Sequence, residues 1–256
     1  MSAPGCRARR EPDHSKCINS LRDGQLWCQT GGSLTAMPTS EQRVTVEPGA
    51  PNVIGESLGG QLEILPLSVE QYDRMIEEGI LPEDTSVELL DGMLVRKDRG
   101  DAGGDPMTVG DAHAFVVTQL AYLALRLDPA IAHLRTQQPV VIPDVGEPEP
   151  DAAIVLRPVT AAGKPRAEHV SSVIEVAGTS LNRDRTTKLR HYARGGIPQY
   201  VILVLADGTA EEYLEPDRDA GTYRRRIVHR PDAALALRAA GEATLTVTLA
   251  DLFPRE

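Results

Sequence analysis

The stretch that decides the fold is Val170-Ser171-Ser172-Val173-Ile174-Glu175-Val176-Ala177. A near-continuous apolar run of this length belongs to a strand inside a sheet that is covered on both faces. A covered sheet with helical segments before and after it is an α/β domain. Glu175 interrupts the run. A carboxylate there loses its hydration, at a cost of several kcal/mol, roughly, unless a cation or hydrogen-bond donors replace the water. Two explanations stand at this point: a structural arginine meets Glu175, or the residue serves a site.

Upstream, Pro150-Asp151 heads a second apolar run, Ala152-Ala153-Ile154-Val155-Leu156. Alone, Pro-Asp is an ordinary turn signal. If the two runs are neighbouring strands, Asp151 and Glu175 meet at one end of the sheet. Two hard oxygen ligands suit Mg²⁺ or Mn²⁺, which bind through one or two carboxylates plus water and phosphate. Downstream, a helix is expected over about 183–194, stopped by Gly195-Gly196. It carries Lys188 in a chain whose only other lysines are Lys16, Lys97 and Lys164. A compact ammonium can steer an attacking water or offset phosphate charge. The plainer reading is a surface i,i+4 pair with Asp184, worth about 0.3–0.5 kcal/mol. Arg183, Arg185, Arg190 and Arg194 make the segment locally basic, which fits a phosphate-facing surface and a solvated helix equally.

Working outward, Ser68 and Gln71 form a capping box for a helix through Glu78, with Gly79 placed to end it. Val87–Leu90 and Met93–Arg96 flank Asp91-Gly92, a two-residue hairpin signal. A glycine-bearing stretch at 98–106 precedes an apolar-periodic helix over about 110–127, which Asp128-Pro129 stops. Strands are expected at 131–142, 199–205, 209–214 and 222–229, and an apolar tail at 244–253 packs back on the sheet. Residues 1–60 hold Gly, Pro, Ser, Thr and charge without apolar period, which reads as a disordered N-terminal arm before a domain at 61–256. Met37 is a candidate true start.

The chain has 256 residues, 41% of them hydrophobic and 25% charged, with a net charge of −10. That length buries an ample core. The acidity argues against a protein that coats DNA non-specifically, but not against a site that gathers carboxylates around a cation. There is no apolar run long enough to span a bilayer and no secretory signal, so a cytoplasmic location and no membrane partner are expected. The three cysteines, Cys6, Cys17 and Cys28, all lie near the N-terminus, so the rest of the chain has no thiolate zinc site. With His14 between two of them they form at best a weak candidate for a metal knot, because no paired C-x-x-C accompanies them.

Pro150-Asp151, Ile174-Glu175-Val176, Asp184, Lys188, Tyr192 and Gly196-Ile197-Pro198-Gln199-Tyr200 together resemble the Uma-two family of the PD-(D/E)xK nuclease superfamily. Val87-Glu88-Leu89-Leu90-Asp91-Gly92 and His113 match the same pattern, and the resemblance covers about Leu65 to Val228. It implies a restriction-endonuclease-like fold, a mixed central sheet flanked by helices. It implies a Mg²⁺- or Mn²⁺-dependent endonuclease acting on nucleic acid, with DNA the first candidate. Asp151 and Glu175 would hold the metal and Glu88 would be a further acidic ligand or base. Lys188 would replace the lysine that the superfamily places two residues after the glutamate, where this chain has Ala177. His113 would approach the same site or serve helix packing. A homodimer is expected from the compact nucleases of the superfamily. The chain departs from the family pattern at Ala177-Gly178-Thr179-Ser180, where a Ser-Pro turn is usual, and at Val201, where Trp is usual. The rival readings are a catalytically inactive binding module on the same fold and a different metal-dependent hydrolase that uses His113.

Overall fold

The computed structural model describes residues 63–82, 85–97, 110–159, 163–241 and 243–254, and the strands within 20–36. The chain divides into two compact units, 1–63 and 64–256. In the first, β1 (Ser20–Arg22), β2 (Gln25–Thr30) and β3 (Ser33–Ala36) form a small antiparallel sheet. These strands fall inside the segment whose composition reads as an arm; Cys6, His14, Cys17 and Met37 lie outside the described residues.

The second unit opens on α1 (Val69–Glu77), where the capping box is formed: Gln71 N–H donates to Ser68 Oγ at 3.2 Å and Ser68 N–H to Gln71 Oε1 at 2.8 Å. β4 (Val87–Leu90) and β5 (Met93–Arg96) follow as the expected hairpin. Asp91 and Gly92 have φ of 49° and 73°, the all-positive pair a two-residue turn needs. Gly92 is doubly required, since a Cβ there would lie 2.2 Å from the Cβ of Pro66.

α2 (Asp111–Tyr122) continues as a 3₁₀ turn, Leu123–Arg126. β6 (Ala132–Thr136) is shorter than the expected 131–142, because Gln137 takes φ of 49° and Pro139 lacks a ladder donor. Residues Val141 and Ile142 make only isolated bridges. Next come β7 (Gly146–Glu147), β8 (Ala152–Leu156) and β9 (Val170–Ala177). The helical segment α3 spans 181–195 in three parts: Leu181–Arg183, a π turn at Asp184–Lys188, and Leu189–Gly195. It begins two residues before the sequence expectation. Gly196, at φ of 72°, ends it.

β10 (Gln199–Val204), β11 (Thr209–Asp217) and β12 (Thr222–His229) complete the main sheet, followed by β13 (Ala234–Ala240), β14 (Ala243–Thr248) and α4 (Leu249–Leu252). The sheet order is β12-β11-β10-β9-β8-β6. Only β9 and β10 are parallel, and α3 is the crossover that such a pair requires. β9 lies inside the sheet and all eight of its residues are buried.

Alternation along the strands sorts the side chains into two cores. Ile154, Ile174, Val176, Val201 and Leu203 pack with α2, β13, β14 and α4. Ala153, Val155, Val173, Ala177, Tyr200 and Ile202 pack with Tyr192 and Ala193 of α3. Glu175 shares the second face, so it points at α3. β13 lies in a stretch, 230–243, to which the sequence reading assigned no element; its neighbour β14 and α4 are the tail that packs back on the sheet. Among the described residues no helix is long and apolar enough to cross a membrane.

Candidate active site

Register places the first two acids. Ala152 pairs with Ile174 and Ala153 with Val173, so Asp151 stands one step beyond β8, opposite Glu175. The Asp151 Oδ2 accepts the Val176 N–H at 2.8 Å and lies 3.1 Å from His113 Nε2. His113 is on the first turn of α2, and its Nδ1 is buried without a partner.

Glu175 meets no arginine. Its Oε1 accepts hydrogen bonds from Lys188 Nζ at 2.9 Å and Tyr192 OH at 2.6 Å, both from α3. Burial pushes its carboxyl up to about 8, against the pull of Lys188. Burial also works against the Lys188 ammonium, but Glu175, Glu88 and Asp184 outweigh it and hold Lys188 above the ordinary lysine range. Lys188 is thus a buried cation and not the surface partner of Asp184. Asp184 is itself buried, accepts from Ser180 Oγ at 2.6 Å, and has its carboxyl pushed up by burial. Residues four apart share one face of a helix, and across this π turn both side chains are buried. Single π turns concentrate at functional sites.

Glu88 arrives from the hairpin. Its Oε2 lies 3.5 Å from Lys188 Nζ and accepts the Glu149 N–H at 3.1 Å, while its Oε1 is buried with no partner. The Glu149 carbonyl accepts from Lys188 Nζ at 3.3 Å. The hairpin is held by Asp91 at its turn: the Asp91 N–H donates to His191 Nε2 at 3.0 Å, and the Asp91 carboxylate pairs with Arg190. The opposite His191 nitrogen donates to the Thr187 carbonyl at 2.7 Å, so the ring is neutral, and burial holds its pKa below the usual value. His191, which holds the hairpin turn, was missed by sequence reasoning, because its partners are Asp91, a hundred residues away, and the Thr187 carbonyl of its own helix.

These groups open into a cavity of about 690 Å³. Among the described residues its lining holds six carboxylates, Glu88, Asp111, Glu149, Asp151, Glu175 and Asp184, against the cations Lys97, Arg183 and Lys188. That balance attracts a cation and repels a bare phosphate. The local basicity of α3 does not reach the cavity as a patch. Arg185 is paired with Glu211, and Arg190 and Arg194 with Asp91; Arg183 alone lines the site. Lys97, also on the wall, pairs with Glu149. The oxygen-rich donor set and the orphaned Glu88 Oε1 fit a hard divalent cation. Among the described residues, however, no three His, Cys, Asp or Glu side chains are grouped closely enough to hold a metal by themselves.

The model of the Uma2 family, whose description is "Putative restriction endonuclease", matches residues 69–250. The chain belongs to the Uma2 family. A crystal structure titled as that of "a putative nuclease belonging to DUF820" from Anabaena variabilis ATCC 29413 is similar to it at a TM-score of 0.52 and 18% identity. The likeness covers 73% of this chain and 98% of that one and bears on the fold, a mixed sheet flanked by helices as expected. No curated protein matches the sequence. The Uma2 match spans every candidate residue, Glu88, His113, Asp151, Glu175 and Lys188, and all five line this one cavity.

Proposed function

We propose that this chain is a Mg²⁺- or Mn²⁺-dependent endonuclease that hydrolyses phosphodiester bonds in nucleic acid, DNA before RNA. The observation that carries the reading is the buried Glu175–Lys188 pair set beside Asp151 in an acidic cavity. Asp151, Glu175 and Glu88 would hold the ion, which supplies polarisation of the scissile phosphate and a bound water of lowered pKa. Lys188 keeps its proton among carboxylates, so it acts as a fixed positive charge. It orients the attacking water and stabilises charge that develops on the phosphate oxygens. Tyr192 holds Glu175 toward the cavity, and His113 fixes the Asp151 carboxylate from the other side. Arg183 faces the same space and suits a phosphate oxygen.

A second reading has an observation of its own. The absence of a third convergent ligand among the described residues, with Glu175 already paired to Lys188, also fits a nuclease fold kept as a binding module. A zinc hydrolase fits less well, since among the described residues His113 is the only imidazole on the cavity wall. Calorimetric titration of Mn²⁺ into the wild type, Asp151→Asn and Glu175→Gln separates the readings without a guess at substrate. Binding that both substitutions abolish supports the nuclease and justifies screening DNA and RNA. Binding by none of the three proteins, with or without added oligonucleotide, favours the module.

A further inference from the structure

We propose that the outer face of α2 is the interface of a twofold homodimer, in which this helix packs antiparallel against its copy. From Ala112 to Leu125 the sequence holds no Asp, Glu, Lys or Arg, in a chain that is 25% charged. Val116, Leu120 and Leu123 face the core. The opposite side, where a surface helix normally carries its charges, is apolar as well. Phe115 is 40% exposed, Tyr122 60% and Leu125 86%. Contiguous exposed apolar surface of this kind marks an interaction site.

The spacing identifies what covers it. Asp111, Phe115, Thr118, Tyr122 and Leu125 recur at intervals of four, three, four and three residues, the seam by which one helix packs along another. The seam is about 21 Å long at the helical rise. The Thr118 hydroxyl donates to the Ala114 carbonyl at 2.8 Å, so its hydrogen bond is made within the helix and its methyl remains for contact. Ala114 and Ala121, both exposed, flank the seam with small side chains that let a second backbone approach.

Charge fixes the partner and its direction. The seam begins at Asp111 and is closed by Arg126, both exposed; one Arg126 guanidinium nitrogen donates to the Thr246 carbonyl at 2.6 Å, and its charge stays at the end of the seam. A twofold axis near Thr118 sets Phe115 of one copy against Tyr122 of the other and Asp111 against the Leu125-Arg126 end. Each contact then occurs twice, as an isologous interface requires. A parallel pair would oppose Asp111 to Asp111. Because residues 110–113 line the cavity, the pairing places one cavity at each end of the helix pair.

Sedimentation equilibrium on the full chain tests this. The expected result is a species of twice the 27.7 kDa chain mass, which Tyr122→Glu and Leu125→Glu each convert to monomer with an unchanged far-UV spectrum and a melting temperature that no longer depends on protein concentration. Asp111→Arg alone should weaken association at least tenfold, and the added Arg126→Asp should restore it; helix-dipole effects within a monomer predict no such rescue. A monomer at every concentration overturns the proposal, whatever else covers the face. So does a dimer that survives both apolar-to-Glu substitutions or gains nothing from the double charge exchange.

Discussion

Glu175 and Lys188 are each too costly to bury alone and are buried together. Removing one partner of such a pair costs about 3–5 kcal/mol, while neutralising a strained acid can do the opposite. Glu175→Gln keeps an oxygen for the Lys188 and Tyr192 donors, and Glu88 and Asp184 remain to balance Lys188. The sign of the pH effect follows from the raised carboxyl. Burial raises the Glu175 carboxyl to about 8 in the folded state, whereas in the unfolded chain it titrates near 4.5. The wild type therefore loses stability as pH rises across that window, and is fully relieved of the penalty only below it. Melting temperatures taken from pH 5 to pH 8 should fall less steeply in Glu175→Gln, with the variant the more stable at pH 8. His113 contacts Asp151 and makes no bond to Glu175. Substituting an outer-shell histidine commonly costs about 10–100-fold in metal affinity, so His113→Ala should weaken Mn²⁺ binding by that order while the melting temperature changes little.

Among elements, α3 is tied to its surroundings by charge on one side and chemistry on the other. Arg185 of α3 and Arg226 of β12 converge on Glu211 of β11, and Tyr213 OH donates to the same carboxylate at 2.6 Å. Burial raises the Glu211 carboxyl, but the two guanidinium groups and the phenol prevail and hold it down at about 2. Here the folded value lies below the unfolded one, so the contribution is present above about 4.5 and is lost as pH falls toward 2. Acid unfolding followed by circular dichroism should begin at higher pH in Glu211→Gln than in the wild type, with the neutral-pH fold retained. The hairpin and the capping box were legible because each is written in two or four adjacent residues. The pairing of Arg185, Arg190 and Arg194 was not, because their partners lie at Glu211 and Asp91 and no local rule connects them. β13 was hidden differently: Leu235, Leu237 and Ala239 alternate as a strand should, but they sit in an alanine-rich stretch that also suits a helix.

For the whole molecule, the main sheet, both cores and the cavity all belong to the second unit, 64–256. A protein that begins at Glu63 should unfold in one transition at the same temperature as the site-bearing unit of the full chain, and should bind Mn²⁺ with the same affinity. A lower or broadened transition on calorimetric scanning would make the first sixty residues part of the fold. The placement of Asp151 opposite Glu175 was readable at this scale, since two apolar runs each carrying one acid become informative once they are neighbours. The contribution of Tyr192 as a donor to Glu175 needed the crossover itself, which folds a residue seventeen positions downstream back over the strand.

The π turn at Asp184–Lys188 has a historical meaning as well as a geometric one. A helix acquires such a bulge when a single residue is inserted and its two ends, fixed by packing, do not rotate to absorb it. Leu181 on one side and Tyr192 and Ala193 on the other are so fixed. Losing the inserted residue would regularise the helix and reset how Lys188, the helix's only lysine, sits against Glu175. A lineage under selection for endurance alone would be expected to shed it.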